Sequence, residues 1–75
     1  MIIPGTIREN ILFGRAFHAE QYSRVVDACA LTPDIRKMPA GDGTWIGEKG
    51  RRLSGGQKQR IVSTRLLPSG LRLLT

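Results

Sequence analysis

The apolar positions of this chain recur in short bursts at helical spacing, separated by glycines and prolines. Ile7 and Ile11, with Leu12 beside them, follow Thr6-Ile7-Arg8-Glu9. That tetrad reads as a capping box, in which the Thr6 hydroxyl accepts from the Glu9 amide and the Glu9 side chain reaches back to the Thr6 amide. Gly14 is expected to stop this helix, with Phe13 packing as the chain turns. A second helix is predicted from about Ala19 to Ala30, because Tyr22, Val25, Val26 and Cys29 fall on one stripe while Glu20, Arg24 and Asp27 take the other face. A brief third helix has Thr32 as N-cap, Pro33 at its first position and Asp34 against its positive end, and Pro39 forbids continuation beyond about Lys37. The glycine-rich stretch 40–52 carries no helical period and reads as an ordered loop with a short extended piece at Thr44 to Ile46. The last helix begins at Ser54, since Ser54-Gly55-Gly56-Gln57 repeats the capping pattern ahead of Ile61, Val62 and Leu66, and Pro68 and Gly70 are expected to end it. No alternating run is long enough for a strand, so the fold expected is mainly α.

Composition narrows this picture. A chain of 75 residues holds at most one small domain and buries only about 60% of its unfolded surface. It has four aromatic residues, Phe13, Phe17, Tyr22 and Trp45, to fill a core. The sequence is therefore expected to be a piece of something larger. Cys29 is the only cysteine, which rules out an internal disulfide and fits a reducing compartment. No stretch approaches the roughly 20 apolar residues that cross a bilayer, so any membrane association is expected to be indirect. The net charge is +6, and Lys49, Arg51, Arg52, Lys58 and Arg60 bracket the Ser-Gly-Gly stretch with only Glu48 opposing them. Positive potential gathers where the backbone is least covered, which suits an anionic partner.

Two glycines at the start of a helix need a reason, because each is disfavoured by about 0.8–1.0 kcal/mol relative to Ala in a helix interior. The first amides of a helix have no internal partner, and with the aligned peptide dipoles they attract anions. Ser54 would offer a hydroxyl, Gly55 and Gly56 bare amides, and Gln57 a carboxamide, around one phosphate-sized volume. The alternative is a loop whose glycines serve only positive dihedral angles before an ordinary capped helix. One anion at a helix end contributes only about 0.3–1 kcal/mol, so a second phosphate-binding surface would have to supply most of the affinity. The remaining candidates are bland. His18 sits ahead of the second helix with no catalytic partner near it in sequence, Cys29 lies on an apolar stripe, and no metal-ligand spacing occurs. Trp45 suits either a core or a partner-facing surface.

Leu53-Ser54-Gly55-Gly56-Gln57, continued by Lys58-Gln59-Arg60, resembles the LSGGQ signature of ATP-binding cassette (ABC) transporters. The flanks resemble the same family in the expected order. Gly5 to Gly14 looks like the segment shortly after the Q-loop, Ala28 to Leu31 and Pro39 to Asp42 like the middle of the helical subdomain, and Thr44 to Gly50 like the stretch that faces the membrane domains. The resemblance covers about residues 4–66 and is strongest to the exporter-type, multidrug-resistance-associated C subfamily.

It implies a partial P-loop NTPase fold, the helical subdomain plus signature helix without the Walker A and Walker B core. In that family two cassettes close head to tail, so Ser54, Gly55, Gly56 and Gln57 would contact ATP held by the opposing cassette, and Leu53 would anchor the loop. The loop near Glu48 would meet the transmembrane domains, at the cytoplasmic face of a membrane. Mg2+ would be bound only in the complete site. No catalytic or metal-binding residue of the family can be assigned here: no G-x-x-x-x-G-K-[ST] occurs, and residues 67–75 depart from the Walker B pattern. The whole chain, 1–75, is thus expected to be a fragment of one nucleotide-binding domain, without ATP hydrolysis of its own. Two other readings stand beside it, a small basic nucleic-acid-binding peptide and an inert truncated product. The first lacks aromatics interleaved with its cations, so no nucleic-acid partner is expected.

Overall fold

A computed structural model describes residues 1–66. The elements run β1 (Gly5–Thr6), α1 (Ile7–Leu12), α2 (Ala19–Ala28), α3 (Thr32–Arg36), a 3-10 turn (Gly41–Gly43), β2 (Trp45–Ile46) and α4 (Gly55–Thr64). Mostly helical is therefore right, and a small antiparallel pair, Gly5 opposite Ile46 and Thr6 opposite Trp45, adds to it. Only β2 was foreshadowed in the sequence. A two-residue strand has no alternation to read, and its partner lies some forty residues away.

Both capping boxes form. Thr6 Oγ1 accepts from the Glu9 amide at 3.0 Å and Glu9 Oε1 from the Thr6 amide at 2.8 Å. Helix α1 closes one residue before Gly14: Phe13 itself takes the left-handed conformation, φ 49°, and its amide closes on the Glu9 carbonyl. Phe13 is then half exposed rather than packed.

Helix α2 ends at Ala28, short of the expected Ala30, through a Schellman motif. The Ala30 amide donates to the Asp27 carbonyl and the Leu31 amide to the Val26 carbonyl, both at 3.0 Å, with Ala30 left-handed at φ 60°. The apolar contact that accompanies this motif falls on Val26 and Leu31, both buried in the core. Leu31 is also the N-cap of α3, so Thr32, expected there, moves to the first helical position and its hydroxyl donates to Asp27 Oδ1 at 3.4 Å.

The core joins Ile7 and Ile11 of α1, Val26 of α2, Leu31, Met38, Ile46 of β2, Leu53 and Ile61 of α4. Tyr22, Val25 and Cys29 pack against it, as their stripe predicts. Leu66 does not join; it is 80% exposed just beyond α4. Pro68, Gly70 and the divergent segment 67–75 lie outside the described residues.

Two polar assemblies lock the helices together. Asn10, fully buried on α1, accepts from the Ile3 amide and donates to the carbonyls of Ile3 and Thr6. Arg65, after α4, donates to the Asn10 carbonyl at 2.9 Å, to Asn10 Oδ1 at 3.1 Å and to the Met1 carbonyl, and covers the Phe13 ring at 4.0 Å. At the other end, Arg8 lies 2.9 Å from Asp42 Oδ2 and 4.3 Å over the Phe17 ring. Tyr22 donates to the same Asp42 oxygen at 2.8 Å. Burial first, and that hydrogen bond second, raise the Tyr22 pKa and hold the phenol protonated.

Candidate functional site

The start of α4 is built by local chemistry. Ser54 is extended, φ −70° and ψ 163°, so its side chain folds over the first turn and its Oγ accepts from the Gln57 amide at 3.1 Å. Gln57 Oε1 accepts from the Ser54 amide at 2.9 Å. The Lys58 amide already donates to the Ser54 carbonyl. This leaves the amides of Gly55 and Gly56, which donate to no acceptor among the described residues. The Ser54 hydroxyl accepts a bond and keeps its own proton for an outside acceptor. Ser54, Gly55 and Gly56 are all exposed.

The glycines have no role in positive dihedral angles, because both are helical and neither has a positive φ. An added Cβ at Gly55 would meet nothing within 4 Å, and at Gly56 it would meet the Arg60 guanidinium at 3.2 Å and the Ser54 Oγ at 4.0 Å. The space over the tip is open from inside the chain. As the capping pattern predicts, Gln57 Oε1 accepts from the Ser54 amide, and its Nε2 donates to Asp34 Oδ1 at 3.3 Å, so both ends of the carboxamide are engaged within the chain.

The cations divide into two sets. Lys49, Arg51, Arg52 and Lys58 line a surface cleft of about 450 Å³ with Ile2, Gly47, Gly50 and Leu53. Leu53 and Lys58 flank Ser54–Gln57 in the chain, so the cleft opens beside the helix tip. Arg60 instead turns to Asp34, with Nη2 3.1 Å from Oδ2. Nothing local in the sequence ties Asp34 to Gln57 and Arg60. Its position explains only its own helix N-terminus, and the tertiary meeting of α3 with α4 had no signal in the pattern.

Leu53 is 7% exposed and belongs to the core, which fixes the loop ahead of Ser54. The loop before it is held by close approach: a Cβ at Gly50 would fall 2.6 Å from the Trp45 carbonyl oxygen, and one at Gly47, φ +90°, 2.9 Å from Pro4 Cα. Trp45 is 53% exposed on β2, and Glu48 is exposed beyond it. His18 is the exposed N-cap of α2. Burial pushes the Cys29 thiol pKa up, which lowers its thiolate fraction at neutral pH. Among the described residues no three His, Cys, Asp or Glu side chains gather as metal ligands.

A capped helix tip with two bare amides, one spare hydroxyl and four cations beside it can take the terminal oxygens of an anion, and the sequence around it is shared widely. The chain belongs to the ATP-binding cassette transporter family. Within it, the similarity is to the C subfamily. The chain is 57% identical over 61 residues to human ATP-binding cassette sub-family C member 2, covering 81% of this chain and 4% of that protein. It is 52% identical over 68 residues to ABC transporter C family member 2 of Dictyostelium discoideum, covering 91% of this chain and 5% of the relative. Human ATP-binding cassette sub-family C member 10 is 57% identical over 60 residues, 80% of this chain and 4% of that protein. The chain thus spans about one twentieth of the length of the curated relatives it matches. No protein-family model matches it. No helix among the described residues is long and apolar enough to cross a membrane.

Proposed function

We propose that this chain is the helical-subdomain and signature segment of an ABC transporter ATPase, and that the α4 tip grips the terminal phosphate of ATP held by an opposing cassette. The observation that carries the reading is the pair of unclaimed amides at Gly55 and Gly56, under open space and ahead of a capped helix. ATP supplies the multiply charged terminal phosphate on which such donors act. Gly55 and Gly56 donate amides, the Ser54 hydroxyl donates its remaining proton, and the α4 dipole adds its positive end. Gln57 first holds the Ser54 amide in place and reaches nucleotide only on releasing it.

These donors form half a site. Their contribution is small alone and grows once water is excluded by the facing surface. The chain carries no Walker A sequence, so the phosphate cradle and the Mg2+ ligands belong to the rest of the complete site. Trp45 and Glu48, exposed on the loop ahead of the tip, suit contact with transmembrane domains, which would set the segment at the cytoplasmic face of a membrane. A partial P-loop NTPase fold fits the helical frame and its short β pair.

In the complete transporter, Ser54→Arg fills the anion volume and should abolish ATP-dependent closure of the two cassettes, read by cross-linking across their interface. Closure at unchanged ATP concentration in that variant would remove the role assigned to the tip.

A further inference from the structure

The Asp34 carboxylate holds two residues of α4 at once. Oδ2 accepts from Arg60 Nη2 at 3.1 Å, and Oδ1 accepts from Gln57 Nε2 at 3.3 Å. The second bond lies beyond the usual N–H···O range. Arg60 Nε, meanwhile, is buried with no hydrogen-bond partner. Nε and Nη2 are the two donors on one edge of a guanidinium, the edge that a carboxylate takes bidentately. One oxygen of that fork is already in place; the other is lent to Gln57.

We propose that Asp34 is the positioning residue of the α4 tip and that its Oδ1 exchanges between Gln57 Nε2 and Arg60 Nε. In the arrangement seen here, Gln57 is fastened at both ends of its carboxamide, to Ser54 and to Asp34. When Gln57 turns outward, Asp34 closes on Arg60 as a two-point pair. The buried Nε gains its acceptor, which offsets the bond between Gln57 and Asp34, while the Ser54 amide that loses Gln57 Oε1 turns to the incoming anion or to water. The side chain of Gln57 is thereby released toward an anion at little net cost. Arg60, whose guanidinium lies beside Gly56, keeps its charge on the helix flank throughout. This exchange is a property of the chain itself, and its use in nucleotide contact rests on the function proposed above.

Two experiments test it separately. The first needs no nucleotide: a double-mutant cycle of Asp34→Asn and Arg60→Lys on thermal unfolding of the 75-residue chain, run with Gln57 present and with Gln57→Leu. The coupling between Asp34 and Arg60 should strengthen at least about threefold in equilibrium constant once Gln57 no longer competes. Equal coupling in both backgrounds overturns the exchange. The second uses the complete transporter, and decides alone if the short chain unfolds without a cooperative transition. Asp34→Asn and Arg60→Lys should each raise the ATP concentration for half-maximal closure about tenfold, with the double variant no worse than either and Asp34→Glu recovering most of the loss. Additive defects, or no defect, overturn the positioning role. If Ser54→Arg blocks closure while Asp34→Asn does not, the exchange falls and the tip assignment stands; if Ser54→Arg also closes normally, both fall.

Discussion

Glycine at position 55 weakens the first turn of α4 and serves no contact within the described residues, since a Cβ there meets nothing within 4 Å. Glycine at position 50 is the opposite case, with a Cβ set 2.6 Å from a backbone oxygen that cannot move away. The two positions should separate by experiment. Gly55→Ala is expected to leave the chain as stable or to gain up to about 1 kcal/mol, while weakening ATP-dependent closure in the complete transporter. Gly50→Ala should cost about 1–3 kcal/mol of stability through the forced backbone shift. Urea midpoints of the two variants check the stability half. A destabilised Gly55→Ala would mean that the glycine serves the fold and not a ligand. The motif itself was legible at this scale, because Ser-x-x-Gln dictates its own cap. The Gln57 Oε1 on the Ser54 amide is part of that cap; only the bond from Gln57 Nε2 to Asp34 Oδ1 was not legible, because Asp34 comes from another helix.

Among the elements, α1 and α4 are joined by polar groups as much as by Ile7, Ile11 and Ile61. Asn10 has no exposure, and both ends of its amide are occupied by Ile3, Thr6 and Arg65. Asn10→Ala strands the Ile3 amide and carbonyl and removes one acceptor of Arg65. The expected loss is about 3 kcal/mol, a large share of the roughly 4–11 kcal/mol that a domain of this length possesses. Chemical denaturation of the variant measures it, and a loss below about 0.5 kcal/mol would show that water replaces the side chain. Helix starts were readable because capping is local. Helix ends were less so: Phe13 and Ala30 accept left-handed dihedrals without being glycine, held by the bond of the Phe13 amide to the Glu9 carbonyl in one case and by the Schellman bonds with the buried Val26 and Leu31 in the other. The β1–β2 pair escaped the sequence for the reason that its two halves are distant and short.

Across the molecule, the four cations around the cleft and the open α4 tip present one positively charged region, with Arg60, paired to Asp34, at its flank beside Gly56. Such a region suits a polyphosphate; on the function proposed above, the groups that position the attacking water and hold the metal belong to the rest of the complete site. The 75-residue chain alone should therefore release no phosphate from ATP above a buffer blank. Turnover by the purified chain in a phosphate-release assay would overturn the view that this surface is half of a shared site.

The helical frame, the two capping boxes, the apolar stripe of α2 and the family resemblance are written in the order of residues alone, because each depends on residues within one or two turns of one another. Which groups of the tip stay free is set by how distant segments pack. Whether Gln57 Nε2 meets Asp34, whether Arg60 joins the cations or pairs with Asp34, and whether Trp45 is covered all depend on segments more than ten positions apart. Their meeting is set by how α1, α3 and α4 pack on a shared core, and no local period encodes that.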